Sequence, residues 1–233
     1  YIILLDEANL SPMEYYWSDF MNICDDLGSH SKVNLGEDYV FGIPETLHFV
    51  ATINNDHTTE TLSPRLLDRA WIITLPQLNL RDYSSSANEA SIPAEEIEVI
   101  SWKSLRDAFT PAKDECFFTP EIQKCYDLVI AKLREKKFTV SPRIDIAIKR
   151  YWAIASKYFE MDDTKTAATT IALDYAIAQR ILPKIVGNGE EFEKWLKEFS
   201  SLCSSNGLNT SAAILKDIIE RGNQQMKYYQ FFY

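Results

Sequence analysis

Four apolar residues that run directly into two carboxylates constrain the fold of this chain more than any other feature. Ile2–Leu5 is followed at once by Asp6 and Glu7. A continuous apolar run of this length is typical of a strand buried on both faces of a parallel sheet. The residues that follow such a strand lie at the carboxyl edge of the sheet, where open α/β sheets bind ligands. The run therefore predicts a core strand with two acidic side chains at a ligand-binding edge.

Composition restricts the class of protein. With 233 residues, 46% of them hydrophobic, the chain is long enough for one large globular domain or two smaller ones. The formal charge of -10, from 24 basic and 34 acidic residues, argues against nonspecific nucleic-acid binding by the chain as a whole. The four cysteines have no metal-type spacing and are interpreted as reduced packing residues of a cytoplasmic protein. Since no apolar stretch approaches the roughly 20 residues that span a bilayer, no membrane association is expected.

Polar residues also follow a second apolar run, residues 47–53, which ends at Asn54. A side-chain amide at the end of a buried strand can bind a phosphate or orient a water molecule. The alternative is an ordinary turn, because Asn and Asp favour turns. Before this run, the sequence predicts a helix from Ser11 to about Leu27, capped by Ser11, and a hairpin or extended loop over 33–44 around Gly36.

Two arginines lie at helix boundaries. Residues 61–70 predict a short capped helix that ends in Leu-Leu-Asp-Arg, followed by a third strand over 71–75. Arg69, at the end of that helix, is the first candidate for an arginine that neutralises a phosphate, and Arg65 is the second. The alternative for either is a surface arginine paired with Asp68 or another neighbour.

The second half of the chain has a helical pattern. Residues 77–100 are rich in Ser and predict a linker, and Thr119 begins a helix. Ser141 and Pro142 predict the cap and first residue of another helix, which puts Arg143 in its first turn. A cation there opposes the helix dipole, which suggests a nearby anion, either a ligand or, alternatively, Asp145 or Glu135. The aromatic tail, residues 227–233, is interpreted as a strand or tail packed on the helices, with a protein-binding edge or a continuation into another domain as the alternative.

Four segments occur in an order and spacing that resemble AAA+ ATPases. LLDEAN resembles Walker B, ATINND resembles sensor 1, LSPRLLDRA resembles the arginine-finger helix, and SPR resembles sensor 2. The resemblance covers about residues 1–160 and is greatest to the clade of MoxR-like, dynein-like and McrB-type restriction ATPases. It implies a mostly helical α/β fold: the C-terminal half of an AAA+ αβα core with parallel strands in 1–76, a linker over 77–100, and an α-helical lid with a C-terminal helical extension in 101–233.

The resemblance also implies roles for individual residues. Asp6 would hold Mg²⁺, Glu7 would activate water, Asn54 would be the polar sensor, Arg69 would act across a subunit interface, and Arg143 would contact bound ATP or GTP from the lid. The full-length protein would form a ring, with six subunits expected, and remodel or translocate a macromolecule, with a restriction or defence role as one option. The alternative is a noncatalytic AAA+-like interaction scaffold.

Two features depart from the family pattern. No Gly-x-x-x-x-Gly-Lys-[Ser/Thr] phosphate loop occurs in the sequence, and Ala70 replaces the aromatic residue that commonly follows the finger arginine. We therefore expect a fragment that starts at Walker B and lacks Walker A.

The first testable prediction is that the 233-residue chain alone does not hydrolyse ATP or GTP, because it lacks a loop that holds the β- and γ-phosphates. A phosphate-release assay with and without Mg²⁺ measures this directly. Mg²⁺-dependent turnover that Glu7→Gln abolishes would contradict the prediction.

Overall fold

The described part of the chain is mostly helical, with a small parallel sheet and two other short strand pairs. The structure, a computed structural model, describes residues 1–21, 32–34, 36, 39–44, 46–54, 59–75, 100–112, 115–160 and 166–232. The described strands and α-helices are, in order, β1 (Ile2–Leu5), α1 (Met13–Tyr16), α2 (Ser18–Met21), β2 (Lys32–Asn34), β3 (Val40–Gly42), β4 (His48–Ala51), α3 (Pro64–Leu67), α4 (Trp102–Phe109), α5 (Pro120–Glu135), α6 (Pro142–Tyr158), α7 (Ala168–Arg180), β5 (Val186–Asn188), α8 (Glu190–Ser205), α9 (Asn209–Gln224) and β6 (Tyr228–Gln230).

The two predicted core strands, β1 and β4, pair in parallel, with Ile2 opposite His48 and Leu5 opposite Ala51. One face of the pair packs on a small core, to which Leu5 and Phe49 contribute. The prediction that β1 is buried on both faces is wrong for the described chain. Ile2 is 71% exposed and Leu4 58% exposed, because the small core packs only against the opposite face. The small core consists of Ala8, Met13, Trp17, Met21 and Leu66, with Leu5, Phe49, Ile53, Leu62 and Ala70 packed around it.

Local structure around the strand pair follows the sequence in part. The predicted hairpin is confirmed, since β2 and β3 pair antiparallel around Gly36, whose φ of 134° favours glycine. The predicted helix after Ser11 is shorter and broken. Its cap is Pro12 rather than Ser11, and Trp17 separates α1 from α2. The remainder of that predicted helix, from residue 22 onwards, lies outside the described residues.

The predicted third strand over 71–75 is wrong, because the described residues there are extended without strand pairing. The apolar residues of this segment have another use. Trp71 and Ile72 pack on the helical core, and the Ile72 N–H donates to the Gln179 carbonyl at 3.2 Å. The segment is therefore drawn towards α7 rather than towards the strand pair.

The helices α5 to α9 enclose the main hydrophobic core. Thr119 and Ser141 are the N-caps of α5 and α6, as predicted, and each side chain accepts the backbone N–H three residues later. Ile144 and Ile148 on α6, Leu173 and Ile177 on α7 and Phe199 on α8 are all buried in this core. The largest helix contacts are those of α6 with α7 and of α8 with α9.

The aromatic tail packs on this helical core, as the first interpretation predicted. β6 pairs antiparallel with β5, and Tyr229 is completely buried. Its ring lies directly over α9 at Gly222, where a Cβ atom would be only 2.1 Å from Tyr229 Cδ1. The predicted linker lies almost entirely outside the described residues.

Candidate functional site

Thr52, the first residue after β4, contacts four consecutive residues of the acidic segment. Its N–H donates to the Leu5 carbonyl, and its own carbonyl accepts the Ala8 N–H, both at 2.9 Å. Its hydroxyl accepts the Glu7 N–H at 2.9 Å and donates to Asp6 Oδ1 at 2.5 Å. The carboxyl ends of the two strands are therefore joined through one residue.

Asn9 makes a second connection between the strand ends. Its side-chain Oδ1 accepts the Asn54 N–H at 3.1 Å. Its Nδ2 donates to the carbonyls of Asn54 and Glu60, at 2.8 and 3.2 Å. Asn9 is only 4% exposed. A buried amide with both donors and its acceptor satisfied is stable, whereas an unpaired one would cost about 1–3 kcal/mol.

The hydrogen bonds of Thr52 and Asn9 bring Asp6, Glu7 and Asn54 to one edge, and all three residues are exposed. Glu7 has a φ of 49°, a left-handed conformation that non-glycine residues adopt infrequently. This conformation is held on both sides, because the N–H groups of Glu7 and Ala8 both bind Thr52. The backbone therefore turns sharply at the second carboxylate.

Oxygen ligands at this edge suit Mg²⁺, which prefers carboxylates, phosphates and water. Within the described residues, no group of three or more His, Cys, Asp or Glu side chains could hold a metal ion. One or two carboxylates, with phosphate and water supplying the other ligands, is the usual Mg²⁺ arrangement. The Asp6 carboxylate could therefore supply one ligand of a Mg²⁺ ion, but the described residues do not form an all-protein metal site.

Arg69 follows α3, which has Ser63 as its N-cap and Pro64 in its first turn. The helix is shorter than the one predicted over 61–70, because it ends at Leu67, two residues before Arg69. Leu66 of this helix is part of the small core beside the strand pair. The Arg69 Nη1 donates to the Arg65 carbonyl at 2.9 Å, so the side chain folds back towards α3. Arg65 therefore lies on a helix that the small core anchors, and Arg69 lies in the turn directly after it.

Arg143 is bound to Asp68, which precedes Arg69 in the sequence. The Arg143 Nη1 donates to Asp68 Oδ2 at 2.9 Å, while 42% of the Arg143 side chain is exposed. The two acids considered from sequence have other partners, since Asp145 binds Lys149 and Glu135 binds Lys132, both at 2.7 Å. The observed partner is thus 75 residues away in the chain.

The Asp68 carboxylate accepts hydrogen bonds from two further donors in the helical part of the chain. Lys184 Nζ donates to Oδ1 at 2.7 Å, and the Ser141 hydroxyl donates to the same oxygen at 2.9 Å. Partial burial alone would raise the pKa of Asp68, but the hydrogen bonds from Lys184, Ser141 and Arg143 outweigh it and lower that pKa below its ordinary value. Asp68 is therefore an ionised acceptor at neutral pH.

The backbone beside Asp68 is held by Arg180, which is 2% exposed. Its guanidinium donates to the carbonyls of Asp68 and Ala70, and it lies 5.1 Å from the centroid of the Trp71 ring. Burial lowers the pKa of Arg180, and the charge of Asp68 acts in the opposite direction. Arg180 and Asp68 together fix residues 68–71 on α6 and α7.

Sequence reasoning missed the residues that connect the predicted site residues. Thr52 has a weak signal, as a polar residue inside an apolar run. Asn9 was part of the recognised motif but had no assigned role. The sequence suggests Asp68 only as a partner for Arg65 or Arg69. Arg180 and Lys184 gave no local signal, because their partners lie more than 100 residues away.

The Asp68 contacts lead to a second prediction. Asp68→Asn should lower the free energy of unfolding by about 1–3 kcal/mol at pH 7, because it removes a charged acceptor shared by three donors. The effect should vanish in acid. Since the pKa of Asp68 is lower in the folded state, its contribution is present above the unfolded value of about 3.9 and is lost as the pH falls through the folded value. Urea unfolding of both proteins between pH 7 and pH 3 measures this.

Asp217→Asn is the matched control. Asp217 is bound by Arg221 one helical turn away, and its side chain is 62% exposed, so its loss should change stability by less than about 1 kcal/mol. An Asp68→Asn effect as small as that of the control, or one that does not depend on pH, would contradict the assignment.

Comparison with known proteins identifies a family for the helical part. Residues 96–228, more than half of the chain, match a family described as "Domain of unknown function (DUF8727)". No curated protein and no solved structure matches the chain. None of the helices in the described part of the chain is long and apolar enough to cross a bilayer. The family match covers α4 to α9 and includes Arg143, Arg180 and Lys184, and the chain therefore belongs to the DUF8727 family.

Proposed function

We propose that the chain is the C-terminal part of an AAA+ nucleoside triphosphatase that couples ATP or GTP hydrolysis to the remodelling or translocation of a macromolecule. The observation that carries the proposal is the parallel pairing of β1 with β4. It brings two carboxylates and an asparagine, Asp6, Glu7 and Asn54, to one strand edge. The carboxyl edge of parallel strands is where α/β folds bind phosphate ligands.

In the proposed mechanism, Glu7 is the general base. Its carboxylate takes a proton from the water that attacks the γ-phosphorus, while the bond from that phosphorus to the bridging oxygen of the nucleoside diphosphate breaks. Asn54 orients this water or binds a γ-phosphate oxygen. Asp6 would hold Mg²⁺, which when bound supplies charge neutralisation on the phosphate oxygens. The Thr52 hydroxyl binds the Asp6 carboxylate but only the backbone N–H of Glu7, so the two acids are held differently and can serve different roles.

Arginines provide the remaining positive charge in this proposal. Arg69 acts on the nucleotide of the neighbouring subunit. Its planar guanidinium can neutralise the charge that develops on the γ-phosphate. Arg143 contacts the nucleotide of its own subunit from the first turn of α6. Its exposed fraction leaves it accessible to a ligand, although Asp68 holds it in the present conformation. The assembly would be a ring, with six subunits expected.

The third prediction tests Glu7 in the full-length protein. Glu7→Gln should lower the turnover number by about 10²–10⁴-fold, because it removes the general base, and should leave nucleotide affinity close to wild type. Affinity is measured with a fluorescent nucleotide and turnover by phosphate release, in the same preparation.

Glu60→Gln is the control, because Glu60 is also an exposed carboxylate. Its backbone carbonyl accepts a hydrogen bond from Asn9 Nδ2, and the change of side chain leaves this bond in place. It should retain turnover. Loss of binding with normal hydrolysis per bound nucleotide would remove Glu7 from the catalytic role. If the full-length wild type neither binds nor hydrolyses ATP or GTP, the noncatalytic scaffold is the correct function.

A further inference from the structure

We propose that Thr52 is a positioning residue that sets the geometry of both carboxylates, Asp6 and Glu7. This inference rests on the proposed function, because it concerns how the two acids are held for use. The evidence is the set of bonds from one residue to Leu5, Asp6, Glu7 and Ala8. Asp6 and Glu7 contact the hydroxyl itself, and this part of the set depends on the side chain.

The direction of the hydroxyl hydrogen bonds is fixed by chemistry. The Glu7 N–H can only donate, so the Thr52 oxygen must accept it. The single hydroxyl proton is then directed to Asp6 Oδ1, 2.5 Å away. This bond restrains the Asp6 carboxyl group and occupies one of its oxygens. In the proposed role, the other oxygen is the one that would bind the ligand.

The same hydroxyl stabilises the unusual backbone at Glu7. A non-glycine residue with a φ of 49° is strained unless its neighbours hold it. The Glu7 N–H is bound by the Thr52 hydroxyl, and the next N–H is bound by the Thr52 carbonyl. Loss of the hydroxyl would remove the partner of the Glu7 N–H but leave the pairing of β1 with β4 intact. The direction of the Glu7 side chain would then be less defined.

Exposure separates this role from a role in folding. Thr52 is exposed, and its side-chain hydrogen bonds lie at the surface, where water competes for them. Their loss should therefore change overall stability little. A change at the buried Asn9 should instead lower stability, because the backbone groups of Asn54 and Glu60 that its amide binds would lose their partner.

Substitution of a residue that orients a metal ligand typically changes metal affinity by about 10–100-fold. The test uses Thr52→Val, which keeps the shape but removes the hydroxyl, Thr52→Ser, which restores it, and Thr74→Val as an exposed control in the segment after Arg69. Two measurements do not depend on activity. One is hydrogen exchange of the Glu7 amide in the 233-residue chain, and the other is Mn²⁺ binding by the full-length protein with a β,γ-imido nucleotide.

Thr52→Val should speed exchange of the Glu7 amide and weaken Mn²⁺ binding by about 10–100-fold. Thr52→Ser and Thr74→Val should resemble wild type in both measurements. Unchanged Mn²⁺ affinity and exchange in Thr52→Val, with Glu7→Gln still blocking turnover, would overturn the role of Thr52 and leave the proposed function intact. No Mn²⁺–nucleotide binding by the wild type would overturn both.

Discussion

Parallel pairing of β1 with β4 is the constraint on which the candidate site depends. Parallel strands place their carboxyl ends at the same edge, so residues 45 or more positions apart become neighbours. In this chain the connection continues past the strands, because Thr52 binds Asp6 and Glu7 after β1, and Asn9 binds Asn54 after β4. A slip of one residue in register would move Thr52 away from Asp6 and turn alternate side chains to the other face. The parallel pairing of β1 with β4 therefore determines both the edge that carries Asp6 and Glu7 and the face that packs on the small core.

A second polar connection joins the strand-bearing part of the chain to the helices. Asp68 and Arg180 together attach the segment after α3 to α6 and α7. The short helix α3, which carries Arg65 and is followed by Arg69, also packs on the small core through Leu66. A movement of the helices would thus act on the candidate finger helix through Asp68. In the proposed function, a phosphate group would compete with Asp68 for Arg143, which would link nucleotide binding to that connection.

Local sequence signals predicted local structure well. Caps at Thr119 and Ser141, the hairpin around Gly36 and the parallel strands all depend on residues close in sequence or on a clear apolar run. Helix ends were less accurate: the helix predicted over 61–70 spans only Pro64–Leu67, and the helix predicted after Ser11 is broken at Trp17. The predicted strand at 71–75 failed because an apolar run does not specify its partner. Trp71 stacks with Tyr151 and Arg180 instead of pairing with a strand.

The predicted site residues were identified by type and position, but their connections were not predictable. Arg143 had two acidic residues within one or two turns as candidate partners, yet it binds Asp68, which the fold brings from the other part of the chain. Thr52 and Asn9 matter through bonds across 45 or more residues, and no periodicity encodes such contacts. Sequence could thus propose candidate groups for chemistry, whereas three-dimensional packing determines which residues hold them.

The most direct test of the proposed site uses two inactive variants of the full-length protein, Glu7→Gln and Arg69→Ala. Each should lack turnover alone, because one lacks the base and the other lacks the arginine donated to a neighbour. Mixed assemblies should regain part of the wild-type activity, since some interfaces then pair an intact Glu7 with an intact Arg69 of the adjacent subunit. Mixed assemblies that form, as verified by mass spectrometry, but remain inactive would contradict a shared site built from these two residues.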